Sequence, residues 1–217
     1  MNIKLTYLAI KGLAEPIRLS FFLSKIPFED ERISYEEISK RRGNLPYGQV
    51  PVLEVDGKVY GQSNAILRWA GRKGNLYPEE FQLECDAVLS CIDDINKNLS
   101  PQWYGHIIGR CPGSGKHFIP LTSEQKDDMK AHLNKDVLPG YFKLLEKQLG
   151  SNKYFCGSKL TIADLKWYVV GSGFIDGSYC EGVSKSVLNS FPTLIDLVDR
   201  VGHHPRIEEW NKMDHSI

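Results

Sequence analysis

Three places in the first seventy residues combine hydrogen-bonding side chains with residues that shape the backbone. Tyr7 stands in IKLTYLAI, an apolar, β-favouring run. Val50-Pro51 enters a hairpin whose turn is Asp56-Gly57, a dipeptide suited to a tight two-residue turn. Gln62-Ser63 leaves that hairpin and opens a helical pattern. Each has an ordinary structural reading. A tyrosine at a strand end is usually half-buried core, an X-Pro bond is usually trans, and a serine before a helix is usually a cap.

Other chemistry-like signals are weaker. GRCPGSGKH, residues 109 to 117, suggests a phosphate loop, but Arg110 stands where the first glycine belongs and His117 replaces the hydroxyl residue. The stretch also follows a helical pattern rather than a strand, so it reads as a loop. Cys85 and Cys91 are too far apart in sequence for an i,i+4 pair, and His203-His204 are adjacent before Pro205. None of these has metal-ligand spacing. Leu160-Thr161-Ile162-Ala163-Asp164 reads as a capping box with a hydrophobic staple, which concerns folding rather than chemistry.

The elements that must position these residues fall into two kinds. The first eighty residues give strand, helix, strand, weak helix, two strands and helix: 3–10, Pro16 to about 25, 28–33, 34–43, the hairpin, and 63–72. Pro16 is expected at the first helical position. This βαβαββα order is that of a thioredoxin-like α/β unit with a short mixed sheet. After GNLYPEEFQ the strand signals nearly vanish, and helical patterns cover 83–107, 123–149, 161–174, 191–201 and 205–211. The expected organisation is an α/β domain over 1–78 and an all-α domain over 84–217.

Composition narrows the class without naming it. The 217 residues carry 27 Lys plus Arg against 27 Asp plus Glu, so no global charge favours nucleic acid or an acidic membrane. No apolar run approaches the roughly 18 residues of a membrane span, and the N-terminus lacks a signal-peptide pattern. Five cysteines without C-x-x-C spacing argue against a disulfide framework or zinc site. The expectation is a soluble cytoplasmic protein without metal.

Four segments together carry a resemblance: KLTYLAIKGLAEPIR with Tyr7, LPYGQVPVLEVDG with Val50-Pro51, QSNAILRWAGRK, and LTIAD. In this order and spacing, over nearly the whole chain, they resemble the cytosolic glutathione transferases of the tyrosine-type classes. LPYGQVPVLEVDG is Sigma-like, whereas Lys11-Gly12-Leu13 and Ser63 to Leu67 are Mu-like. Leu13 departs from the arginine that many Sigma and Alpha members carry there, and Ile38 from a tryptophan that many members have.

The resemblance implies glutathione as co-substrate and a division of roles. Tyr7 would donate a hydrogen bond to the glutathione sulfur. Pro51 would be cis, turning the Val50 backbone, beside Gln49, toward the cysteinyl backbone of the ligand. Gln62-Ser63 at a helix start would seat the γ-glutamyl carboxylate. Arg42 either holds the glycyl carboxylate or is merely an exposed charge. A two-fold homodimer is implied, with Asp93-Asp94 matching the acidic pair that reaches the neighbouring γ-glutamyl amine. Asp94 of the partner subunit is the favoured member, and Arg68 is assigned to the dimer interface. An apolar cleft lined by Leu8, Ile10, Leu13, Trp103, Tyr104 and Ile107 would hold the electrophile, although Trp103 and Tyr104 suit core or interface equally. The implied activity is conjugation of glutathione to apolar electrophiles. A glutathione-dependent isomerase of the prostaglandin-synthase kind, or a non-catalytic binding or structural member, remains the alternative.

Overall fold

The computed structural model describes residues 1–104 and 120–215. Its N-terminal part is a four-stranded sheet of order β2-β1-β3-β4, with β1 at Ile3–Leu8, β2 at Glu29–Ile33, β3 at Val52–Val55 and β4 at Lys58–Gly61. β1 runs parallel to β2 and antiparallel to β3, which pairs antiparallel with β4. The β3–β4 turn takes positive φ at both Asp56 (48°) and Gly57 (84°), as a primed two-residue turn requires.

Helices α1 (Glu15–Leu23), α2 (Tyr35–Arg41) and α3 (Ser63–Lys73) complete this unit. The thioredoxin-like order read from the sequence is the observed one. Its boundaries shift slightly: β1 ends at Leu8 rather than Ile10, and Pro16 lies one residue inside α1, whose N-cap is Ala14. The strand stops early because buried Arg18 captures the Leu8 and Ile10 carbonyls, at 3.2 and 2.8 Å, turning the chain away from the sheet.

The rest of the described chain is helical: α4 (Gln82–Tyr104), α5 (Ser123–His132), α6 (Leu138–Leu149), α7 (Ile162–Asp176), α8 (Pro192–Gly202) and α9 (Pro205–Lys212). The single helix expected over 123–149 is instead interrupted by a π-helical turn, Leu133–Val137. Pro139 supplies the reason: it lacks the N–H that would bond back to the preceding turn, and the widened turn accommodates that loss. No helix among the described residues is long and apolar enough to cross a membrane.

α7 is the buried spine of the second domain. Trp167 is fully buried, donates its indole N–H to the Leu194 carbonyl at 3.1 Å, and packs edge-on against Phe142. At the start of α7, fully buried Asp164 accepts hydrogen bonds from the Thr161 N–H, the Thr161 hydroxyl and the Phe155 N–H, each at 2.8 Å. This is the capping box read from LTIAD. Burial outweighs those bonds and pushes the Asp164 carboxyl up to about 6.

α7 also ties the two parts together. Buried Lys166 donates to the Asn64 side chain on α3 at 2.9 Å, to the Leu89 carbonyl on α4 at 3.1 Å, and to the Asp93 carboxylate. Asn64 in turn donates to Asp93. A lysine with three acceptors is a satisfied buried cation, and the tie fixes α3 against the helical domain.

Candidate functional site

A cavity of about 1530 Å³ opens between the sheet and the helical domain. Its floor is the end of β1 and the following loop. Tyr7 is 7% exposed there, and its hydroxyl oxygen accepts a hydrogen bond from the Leu13 N–H at 3.3 Å. Burial, reinforced by the nearby Tyr104 and Tyr35 phenols, raises the Tyr7 pKa against the opposing pull of the Leu13 N–H and the Arg18 guanidinium. Tyr7 is therefore a neutral phenol at physiological pH, with its oxygen engaged by an N–H and its proton left to donate.

The loop that supplies the Leu13 N–H is held from beneath. Arg18 is fully buried and pairs with Asp30 at 2.9 Å and Glu15 at 3.1 Å while holding the two carbonyls already named. Its guanidinium lies 5.8 Å from the Tyr7 ring centroid. Gly12, at φ +44°, must be glycine for a further reason: a Cβ there would sit 2.7 Å from the Tyr7 hydroxyl. Position 13 thus contributes its backbone N–H to the Tyr7 hydroxyl, with the Arg18 guanidinium farther back.

The hairpin forms the next wall. The Val50-Pro51 peptide is cis, and Val50 lies outside the β-ladder, which begins at Val52. Gln49 and Val50 line the cavity. Arg42 lines it too, and donates to the Gly48 carbonyl at 2.9 Å, fastening the 42–50 loop. Gln62 adopts φ 75°, ψ 104° as the N-cap of α3, making Ser63 the first helical residue. Ser63 does not act as the cap. Its hydroxyl makes no hydrogen bond among the described residues, and both residues face the cavity at a helix N-terminus, where backbone N–H groups favour an anion.

The helical domain supplies the opposite wall. Trp103 and Tyr104 line the cavity, as do Leu8, Ile10 and Leu13 from the sheet side. Ile107 lies outside the described residues. The expected apolar cleft is corrected to a mixed one, because Asn96, Ser100, Ser172, Asp176 and Asn211 also reach it. Polar residues on the cavity-facing sides of α4, α7 and α9 produce this, a feature that helical periodicity alone does not assign to a cleft rather than to solvent.

Sequence reasoning missed Tyr179 in this wall. Its hydroxyl donates to the Asn96 side chain at 2.6 Å, its carbonyl accepts from the Trp103 indole at 3.1 Å, and burial pushes its pKa up. Its ring packs edge-on against Trp103 at 5.6 Å. The only signal was an aromatic residue inside the loop break DGSYCEG.

The acidic pair divides. Asp93 faces the cavity and is held by Lys166 and Asn64, whereas Asp94 turns outward to Lys97 at 2.8 Å and does not line the cavity. Arg68 pairs within the chain with Asp86 at 2.7 Å. Ile38 contributes to the wall where a tryptophan was noted as absent. No group of three or more His, Cys, Asp or Glu side chains suited to a metal occurs among the described residues.

Comparison with known proteins matches this architecture. Residues 7–73 fit the family model of the glutathione S-transferase N-terminal domain, and residues 115–214 that of the C-terminal domain. Hematopoietic prostaglandin D synthase of Gallus gallus is 33% identical over 216 residues, covering 96% of this chain and 94% of that protein. Glutathione S-transferase 4 of Caenorhabditis elegans is 48% identical over 186 residues, covering 81% of this chain and 84% of the relative. Among solved structures, prostaglandin synthase D of Nilaparvata lugens superposes with a TM-score of 0.81 at 27% identity, covering the full length of both chains. Rat hPGDS complexed with a quinoline gives 0.78 at 29%, covering 97% of this chain and 96% of that one. On sequence, domain order and fold together, the chain belongs to the glutathione S-transferase family.

Proposed function

We propose that this chain is a glutathione transferase in which Tyr7 holds glutathione as its thiolate for attack on an electrophile. The observation that carries the reading is the Tyr7 hydroxyl, buried at the cavity floor with its oxygen engaged by the Leu13 N–H. A free thiol has a pKa of about 8.5, so little is ionised at neutral pH. A phenol that stays neutral and donates to sulfur stabilises the anion. Lowering the thiol pKa by ~2 units corresponds to ~2.7 kcal/mol.

The tripeptide would lie along the hairpin. Val50, outside the ladder, would offer its backbone to the cysteinyl residue in a short strand addition. Gln62 and Ser63 would seat the γ-glutamyl carboxylate, and Arg42 the glycyl carboxylate, with Gln49 alongside. The thiolate then attacks the electrophilic carbon, forming a C–S bond as the leaving group departs or the electrophile's electron pair takes up a proton. The chain would act as a homodimer in the cytoplasm, with Asp94 of the partner subunit reaching the γ-glutamyl amine.

Similarity to the prostaglandin D synthases favours one second reading, isomerisation with glutathione regenerated. Retention on glutathione resin and conjugation of an aryl halide, by wild type and Tyr7→Phe, test the first reading. Wild type should bind and conjugate, and Tyr7→Phe should bind but turn over poorly. Full activity in Tyr7→Phe removes the role given to Tyr7. Glutathione consumed in proportion to product separates conjugation from isomerisation.

A further inference from the structure

Outside the cavity, one chemically capable pair has no part in the proposed chemistry. Cys85, near the start of α4, and Cys156, in the connection between α6 and α7, are separated by 71 residues, yet their sulfurs lie 3.2 Å apart. Both thiols are free and buried. The other two described cysteines are different. Cys91 is half-buried, and Cys180 directs its thiol to the Glu181 carbonyl at 3.7 Å. Neither meets a second thiol among the described residues.

From this geometry we infer an oxidation site: peroxide converts Cys85 and Cys156 to an intramolecular disulfide that fastens the 150–161 connection to α4. The reduced sulfurs need to close by only about 1 Å to reach bonding distance. Cys156 is buried within a short connection whose Lys153 and Ser158 are exposed. The turn that covers it is a small one, closed by paired hydrogen bonds between Tyr154 and Gly157 at 2.9 and 3.1 Å, with Gly157 at φ +90°. Opening that turn admits a molecule the size of peroxide without unfolding α4 or α7.

Either sulfur can take either role. The hydrogen bond between the two thiols can be donated from either side. With Cys85 reacting first, Cys156 is the resolving thiol. The Cys85 thiolate attacks one peroxide oxygen, the O–O bond breaks, hydroxide leaves, and Cys85 becomes a sulfenic acid. The Cys156 sulfur then attacks the Cys85 sulfur; an S–S bond forms, the S–O bond breaks, and the hydroxyl departs as water with the Cys156 proton. The two thiols lose two electrons and peroxide gains them.

The experiment uses the full-length protein, hydrogen peroxide and peptide mapping by mass spectrometry without reduction. The expected product is a Cys85–Cys156 cross-linked peptide pair, lighter by two hydrogens than its parts, restored by dithiothreitol. It should accumulate before Cys91 or Cys180 is oxidised, and Cys85→Ser or Cys156→Ser should abolish it. Wild-type mapping decides the matter even where a variant folds poorly. The inference is overturned if both thiols remain alkylatable after denaturation while other cysteines have reacted, or if either pairs with a different cysteine. None of these readouts depends on transferase activity.

Discussion

The two faces of the cavity are made of different kinds of group. On the sheet side the Tyr7 hydroxyl is set among backbone groups and fully buried charge: the Leu13 N–H, the Val50 backbone ahead of β3, the α3 N-terminus, and Arg18 gripping two carbonyls. On the helical side it rests on side chains, with Trp103 and Tyr104 exposed at 40% and 44% and Tyr179 braced by Asn96. A backbone-built face has few ways to change without refolding, so it suits one invariant ligand. A side-chain face can be rebuilt residue by residue, so it suits the ligand that varies. The difference teaches where binding ends and selection begins.

The comparison can be broken most sharply at Tyr7. Tyr7→Phe removes only an oxygen and should lower kcat/KM for conjugation about 100-fold, with glutathione KM nearly unchanged in steady-state kinetics. Gly12→Ala comes next. Its new methyl would meet the Tyr7 hydroxyl at 2.7 Å on a backbone at φ +44°, so both the phenol and the Leu13 N–H must move. About a tenfold loss of kcat/KM, together with a lower Tm in thermal melts, is expected. A purely stabilising role for Gly12 would lower Tm and leave the kinetics of the folded fraction alone.

On the other face the expected effects are smaller and selective. Trp103→Ala removes an aromatic wall and the support it gives Tyr179, and should shift KM for aromatic electrophiles by about three- to tenfold. The KM for glutathione should hold. A parallel rise in both would show that the faces are not separable. Smallest of all is the pH effect of Tyr7 itself. Its hydroxyl is useful only while protonated, and burial raises its pKa above the ordinary value of about 10. As pH rises, tyrosine ionisation should therefore cost no activity until beyond that value, which a kcat/KM profile under conditions of stable folding would reveal.

Much of the fold was legible because local signals and tertiary structure agreed. Asp56-Gly57 formed the turn its residues favour, LTIAD formed its capping box, and the strand-helix order appeared as read. The π turn at Leu133–Val137 was not legible, since it depends on how the helix accommodates Pro139. The sheet-side candidates Tyr7, Val50-Pro51 and Gln62-Ser63 each have an ordinary structural reading alone, and only the four-segment resemblance picked them out together. The helical face was not legible in this way. Tyr179 and Asn96 are brought together across 83 residues by packing, and nothing in either local pattern announces the other. Spacing rules search along the chain, so they do not register that the free thiols of Cys85 and Cys156 meet across it.

The central claim is that the sheet face ionises a bound thiol through Tyr7. Its most direct test is an ultraviolet titration of the glutathione thiolate bound to wild type and to Tyr7→Phe. The account predicts a bound-thiol pKa ~2 units below the free value of about 8.5 in wild type, returning most of the way in the variant. An unshifted thiol in wild type, or the same depressed pKa in both proteins, would contradict it.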